Sequence, residues 1–323
     1  FSTPRPTMTA STSEKFTRFQ EDILRTILYF DIFRHPLTAE EVYRYLPSDS
    51  TSPERITAEC QRAPLSSFIR RETGYYTFAG NQKQYGLSEE RLKKEERARG
   101  YRFAARFMAR IIRRFPFVRG ICVSGELSKG VASENGDVDY LIITANDRLW
   151  ITRTLLILFK KLFLFNRKKF FCLNHFVSER SMATKERTLY SALEIATLIP
   201  LTDYERYLAY QEANAWIREY LPNSRAHSGD WLVGSGREGL IQRGLEYFLR
   251  GAFGDSLDNF LNEYWKRVWK RRYPEFSDEQ RISLFRSEKD VSTSYVGDFL
   301  PKIMNQYRSR LESLGFESTD KRL

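Results

Sequence analysis

The chain has 323 residues and carries 52 Lys and Arg against 41 Asp and Glu, a formal net charge of +11. The length suits two or three domains, and the positive balance favours anionic partners: nucleic acid, nucleotides or an anionic membrane surface. Three scattered cysteines, Cys60, Cys122 and Cys172, exclude a disulfide framework and do not make a zinc site, so a reducing cytoplasm is the expected location.

Residues 1–15 are rich in Ser, Thr and Pro without an apolar stretch, and are expected to form a disordered tail, not a signal peptide. Helical spacing of Phe16, Phe19, Ile23, Ile27 and Phe30 predicts a first helix over 16–33, ended by His35-Pro36. Thr38, with Glu41 three residues on, is a capping box for a short second helix that Pro47 stops. A third helix is expected from Pro53 or Glu54 to Ala58, followed by 65–69 and an aromatic, strand-prone turn over 72–78. Three helices and a small ribbon resemble a winged helix, expected over 16–86 with Tyr75 and Tyr76 in the wing. Glu54, Arg55, Glu59 and Arg62 balance one another on the third helix, which weighs packing or protein docking above DNA reading.

A long basic helix is predicted over 88–115. Phe103, Phe107 and Ile111 form its apolar edge, and the run from Arg99 to Arg114 makes its second half a candidate anion-facing surface. It leads through Pro116 into 121–144, the stretch that carries the chemistry. Residues 121–123 and 140–143 are short apolar runs bounded by turn residues, the pattern of buried strands. Asp137 and Asp139 lie two apart and so leave one face of a strand together, while Val138 points into a core. Paired carboxylates repel unless a cation neutralises them, and oxygen donors of this kind suit Mg²⁺ completed by water and phosphate. Between the strands, Gly125 and Gly130 let backbone approach a ligand closely. Ser124, Gly125, Glu126, Ser128, Lys129 and Gly130 are therefore the candidate nucleotide-binding residues.

Strand, Gly-bearing turn, bounded gap and Asp-x-Asp on the next strand resemble the signature of the polymerase-β-like nucleotidyltransferase superfamily. The resemblance rests on Gly125-Glu126, Gly130 and Asp137-Val138-Asp139. It implies a small mixed sheet with helices on one side, here a core over 87–185. It also implies Asp137 and Asp139 as catalytic ligands of one Mg²⁺ or two, and a nucleoside triphosphate as substrate. Two positions depart from the pattern. Glu126 stands where the family usually has Ser or Gly. A third carboxylate belongs on a later strand, and the candidate strand over 169–177 offers Asn174, a neutral oxygen for a metal but no general base.

Residues 148–165 predict an amphipathic helix, with Arg153 facing substrate phosphates or packing. Arg153, Lys160 and Lys161 interrupt that window too much for a membrane span, although the Arg167-Lys168-Lys169 run leaves attachment to a membrane surface open. His35, His175 and His227 are too dispersed for a metal cluster. From Glu179 the pattern reads as wholly helical: 188–199 closed by Pro200, 204–220, a loop over 223–239, one or two helices over 240–273, and 296–314. Trp265 and Trp269, four apart, read as a core stripe with the neighbouring bases outside, in preference to a nucleic-acid surface. The expected fold is α+β: a mixed-sheet nucleotidyltransferase core flanked by the winged-helix-like domain and an all-α domain over 186–323.

The resemblance implies a Mg²⁺-dependent nucleotidyltransferase that moves a nucleoside monophosphate to an unidentified acceptor (a small molecule, a protein or an RNA end). Glu126 and Asn174 motivate the alternative, a catalytically decayed core acting as a nucleotide sensor or nucleic-acid-binding regulator.

Overall fold

The computed structural model describes residues 16–49, 52–80, 86–166, 169–234, 239–293 and 299–316. The expected tail over 1–15, the Arg167-Lys168 pair, part of the 223–239 loop and the end of the chain lie outside the described residues.

The N-terminal unit follows the expected order: α1 (Arg18–Asp31), α2 (Ala39–Tyr45), α3 (Pro53–Cys60), then the antiparallel ribbon of β1 (Ile69–Glu72) and β2 (Tyr75–Phe78). Thr17 with Gln20 and Thr38 with Glu41 form complete capping boxes, each satisfying backbone N–H groups that a helix start leaves open. Tyr75 and Tyr76 are both buried. The Tyr75 hydroxyl donates to Glu95 of the long helix α4 (Leu87–Ile112) at 2.9 Å, and that of Tyr76 to Thr57 at 3.3 Å. The two rings thus fasten the ribbon to its neighbours. Arg91 completes the junction: buried, it bonds Glu41 and Glu95 at 2.7 Å each.

Behind this unit lies a five-stranded mixed sheet ordered β6-β3-β4-β5-β7. Its strands are β3 (Val118–Ser124), β4 (Asp139–Thr144), β5 (Cys172–Ser178), β6 (Ile199–Thr202) and β7 (Val291–Thr293). β3 runs antiparallel to β4 and β6, and β5 antiparallel to β7. β4 and β5 are parallel, joined by a crossover through α6 (Leu149–Phe163). The four-residue helix α5 (Gly125–Ser128) follows β3 directly. The remaining helices are α7 (Leu189–Ala196), α8 (Tyr204–Ala213), α9 (Ile217–Tyr220), α10 (Leu240–Phe248), α11 (Ala252–Arg272), α12 (Asp278–Phe285) and α13 (Phe299–Ser313). Among the described residues, no helix is long and apolar enough to cross a membrane.

Helices cover both faces of the sheet, not one. Ile121, Val123, Tyr140, Ile142 and Phe176 pack with α4, α6 and α11. Their alternates Cys122, Leu141, Ile143 and Val177 join a second core with α1, α7, α8 and α13. Successive strand residues point to opposite faces, so an uninterrupted apolar run such as Tyr140-Leu141-Ile142-Ile143 requires cover on both.

Two further expectations are corrected. The segment 186–323 is not all-α, because β6 and β7 close the two edges of the sheet. Pro200, read as a helix stop, lies within β6, and an edge strand tolerates a residue without an N–H. On α4 the residues facing the core are Ala98, Tyr101, Ala105, Ala109 and Ile112, whereas Phe103 and Phe107 are exposed. Small alanines let the helix sit close to the sheet and leave the large rings outside.

Candidate functional site

Ser124, the last residue of β3, pairs with Asp139, the first of β4. The chain therefore turns at Gly125 directly beside the Asp139 side chain. Gly125 has φ +69°, and a Cβ built there would lie 2.5 Å from the Asp139 Oδ2. Both the left-handed backbone and the carboxylate behind it demand glycine.

Asp137 precedes β4, and its carboxylate joins that of Asp139 as the sequence predicts. These two and the Cys172 sulfur place one potential ligand atom each within 4.8 Å of one another. Val138, between the acids, is fully buried on the opposite side. Its N–H donates to the Lys169 carbonyl at 2.9 Å and its carbonyl accepts from the Cys172 N–H at 3.1 Å, fixing where β5 begins. Burial first, and the neighbouring Asp137 charge second, push the Asp139 carboxyl up to about 7. Among the described residues neither acid forms an ion pair.

Cys172 is the residue that sequence reasoning missed. It lies opposite Asp139 across the parallel pairing of β4 and β5, where the register slips before Leu141 meets His175. Burial, and then the Asp139 charge, raise its thiol pKa, so it stays protonated; its sulfur donates to the Asn174 Oδ1 at 3.2 Å. The Asn174 amide in turn donates to the Asp139 Oδ1 at 2.6 Å. Asn174 thus reaches the acid pair, presenting its nitrogen to Asp139 and its oxygen to the thiol. His175 is half-buried, and desolvation followed by the Arg286 charge lowers its pKa to about 4.

The turn residues divide their tasks. Ser128 is buried and its hydroxyl donates to the Gly125 carbonyl at 2.9 Å. The Lys129 ammonium donates to the same carbonyl at 3.2 Å and to Glu194 of α7 at 2.7 Å. Both side chains brace the turn. Glu126 accepts from the Ser133 N–H and hydroxyl at 2.8 Å each, which commits its charge to the following loop. Gly130, at φ +75°, carries the chain out of α5. Helix α4 supports that loop as well, with Arg97 donating to the Ala132 carbonyl at 2.8 Å. An acid from outside the sheet, Glu194, has its charge felt at Asp139 and pairs with Lys129, whose own charge acts on Asp139 in the opposite sense. A helix contributes it, so no strand pattern signals it.

Two expected anion contacts resolve differently. Arg153 is buried among the rings of Trp150, Phe176, Trp265 and Trp269, a packing role. On α4, Arg102, Arg106 and Arg113 donate to the carbonyls of Asp230, Leu232 and Gly234, pinning that segment along the helix. Trp265 and Trp269 are buried, with Lys266, Arg267 and Lys270 exposed, the core stripe that their spacing predicts.

No protein-family model matches the chain, and neither does any curated protein or any solved structure.

Proposed function

We propose that this chain is a Mg²⁺-dependent nucleotidyltransferase, moving a nucleoside monophosphate from a nucleoside triphosphate to an acceptor. One observation carries the reading: a carboxylate pair that forms no ion pair among the described residues stands against the Gly125 turn, whose missing Cβ leaves room for the Asp139 side chain. The donor set suits the ion. Asp137 and Asp139 offer hard oxygens, and Cys172, held as a thiol, does not compete as a soft thiolate ligand. When bound, the metal supplies positive charge against a developing alkoxide and a departing pyrophosphate.

The chain's own residues do the rest. Asp137 and Asp139 hold the ion, with Asn174 orienting Asp139 through its amide. Gly125 lets the Asp139 carboxylate sit directly against the turn, and Ser128 and Lys129 fix the Gly125 carbonyl. Incubation with α-labelled nucleoside triphosphates and Mg²⁺, scored for label transfer and pyrophosphate release, tests this directly. Asp139→Ala should fall to background; a variant as active as the parent would remove the mechanism.

A second reading is favoured by the residues that β5 sets beside Asp139. They are Cys172 and Asn174, where the resemblance calls for a third carboxylate. On that reading the site binds nucleotide and Mg²⁺ without turnover and serves as a sensor. Calorimetric binding with no pyrophosphate release would select it.

A further inference from the structure

Helix α10 is built inside out. Toward the protein it turns Gln242 and Glu246, both buried. The Gln242 amide donates to the carbonyls of Arg113 and Phe115 at 3.4 and 3.3 Å. Glu246 accepts from the Phe117 N–H at 2.6 Å and pairs with Arg119 at 2.8 Å. The opposite side carries Leu240, Ile241, Leu245, Tyr247 and Phe248, with Leu240 and Ile241 86% and 81% exposed. At 100° per residue these five span about 160° of the helix. An ordinary surface helix does the reverse.

The apolar surface continues past the helix. Phe253, in the first turn of α11, meets Phe248 edge-on at 5.6 Å. Phe115, whose carbonyl takes the Gln242 amide, packs against Phe159 at 5.3 Å, and Phe159 stacks on Phe163 at 5.1 Å. From there α6 ends with Leu162, Phe163 and Phe165 exposed. An exposed apolar face of this kind on a protein in water marks a contact face.

Charge identifies the partner. Arg114 follows α4 beside the Gln242 contact, Arg250 follows α10, and Lys161 lies in the last turn of α6; all three are exposed. Burial, then the charges of Arg114 and Arg110, lower the pKa of Arg113, a sign that cations crowd this corner. The one acid of α10, Glu246, is turned inward onto Arg119. A second copy of the chain would bring two such basic rims together. A nucleic acid would satisfy the rim and stack on Tyr247 and Phe248, but would leave the aliphatic Leu240, Ile241 and Leu245 in water. A bilayer containing anionic lipid satisfies both, taking the apolar side chains below its headgroups and the Arg and Lys among them.

We propose that α10, together with Phe253, is a docking surface for an anionic phospholipid bilayer, on which α10 lies in the plane of the interface. The full chain should sediment with sucrose-loaded vesicles of phosphatidylcholine containing about one third phosphatidylglycerol, and far less with phosphatidylcholine alone. Ile241→Ser with Phe248→Ser should lower that partitioning by about tenfold or more. Arg114→Gln with Arg250→Gln should lower it about fivefold per charge and flatten its salt dependence. All four positions are exposed, so melting temperatures should stay near that of the parent; if the serine variant melts early, the arginine pair decides. No binding to the anionic vesicles would overturn the proposal, as would a serine variant that sediments like the parent. A dimer that the serine variant converts to monomer would also overturn it, assigning the face to a second copy.

Discussion

Two pairs of acids flank β4, and the protein treats them in opposite ways. Past its end, Asp147 and Asp290 share Arg180 at 2.7 and 3.0 Å, and Asp147 also takes Lys289 at 2.6 Å. Hydrogen bonds from Arg180 and then Lys289 hold the Asp147 carboxyl below its usual range. At the strand's start, Asp137 and Asp139 receive an asparagine amide and a thiol's neighbourhood, and Asp139 is pushed upward instead. The chain carries a net charge of +11, yet among the described residues no Lys or Arg pairs with Asp137 or Asp139; Lys129, whose charge reaches Asp139, is tied to Glu194. A pair left without an ion-pair partner beside a tight glycine turn is how a cation site looks, while a pair wrapped in Arg and Lys is how a structural junction looks.

The two ends of β4 differ most at Asp139. Asp139→Asn should abolish Mg²⁺-dependent nucleotide binding in calorimetry, yet raise stability by about 2 kcal/mol near neutral pH by removing a carboxyl whose charged form desolvation and the Asp137 charge disfavour. A variant that loses stability instead would show that the pair is compensated after all. Gly125→Ala comes next. Its Cβ would collide with the Asp139 carboxylate and strain a left-handed residue, so Mg²⁺-dependent binding should weaken about tenfold and stability fall by about 1 kcal/mol.

The two ends should also differ in pH dependence. Asp139 has a folded pKa raised to about 7, so its contribution to stability is complete below the unfolded value near 4 and is lost as pH rises through 7. Asp147 has a lowered folded pKa, so its contribution is present above about 4 and is lost as pH falls through the folded value. Chemical denaturation across pH should therefore show a decline from about 4 to 7 that Asp139→Asn flattens and Asp147→Asn leaves in place. The smallest effect belongs to Arg180→Gln. Partly exposed pairs contribute little, so it should cost about 1 kcal/mol and less at high salt, in the same denaturation measurement.

Local signals were readable where the cause is local. The capping box at Thr38 and Glu41, the buried run 140–143 and the Trp265–Trp269 stripe each depend on neighbours within a few residues, and each is found where its spacing places it. Large apolar residues misled on α4, since periodicity says that a face exists without saying which side the core is on. Pro200 misled for a related reason: a proline bars a central strand and a helix interior but not an edge, and only the sheet order makes β6 an edge.

What the sequence determined by itself is the acidic start of β4: the two-residue period of a strand sends Asp137 and Asp139 to one side, and Gly125 and Gly130 permit the turn beside them. Only the tertiary structure decided what else stands there. Parallel pairing across the α6 crossover brings Cys172 and Asn174 to Asp139, and the packing of α7 brings Glu194 to Lys129. Contacts between segments distant in sequence arise from the burial of whole faces, and no local period records them.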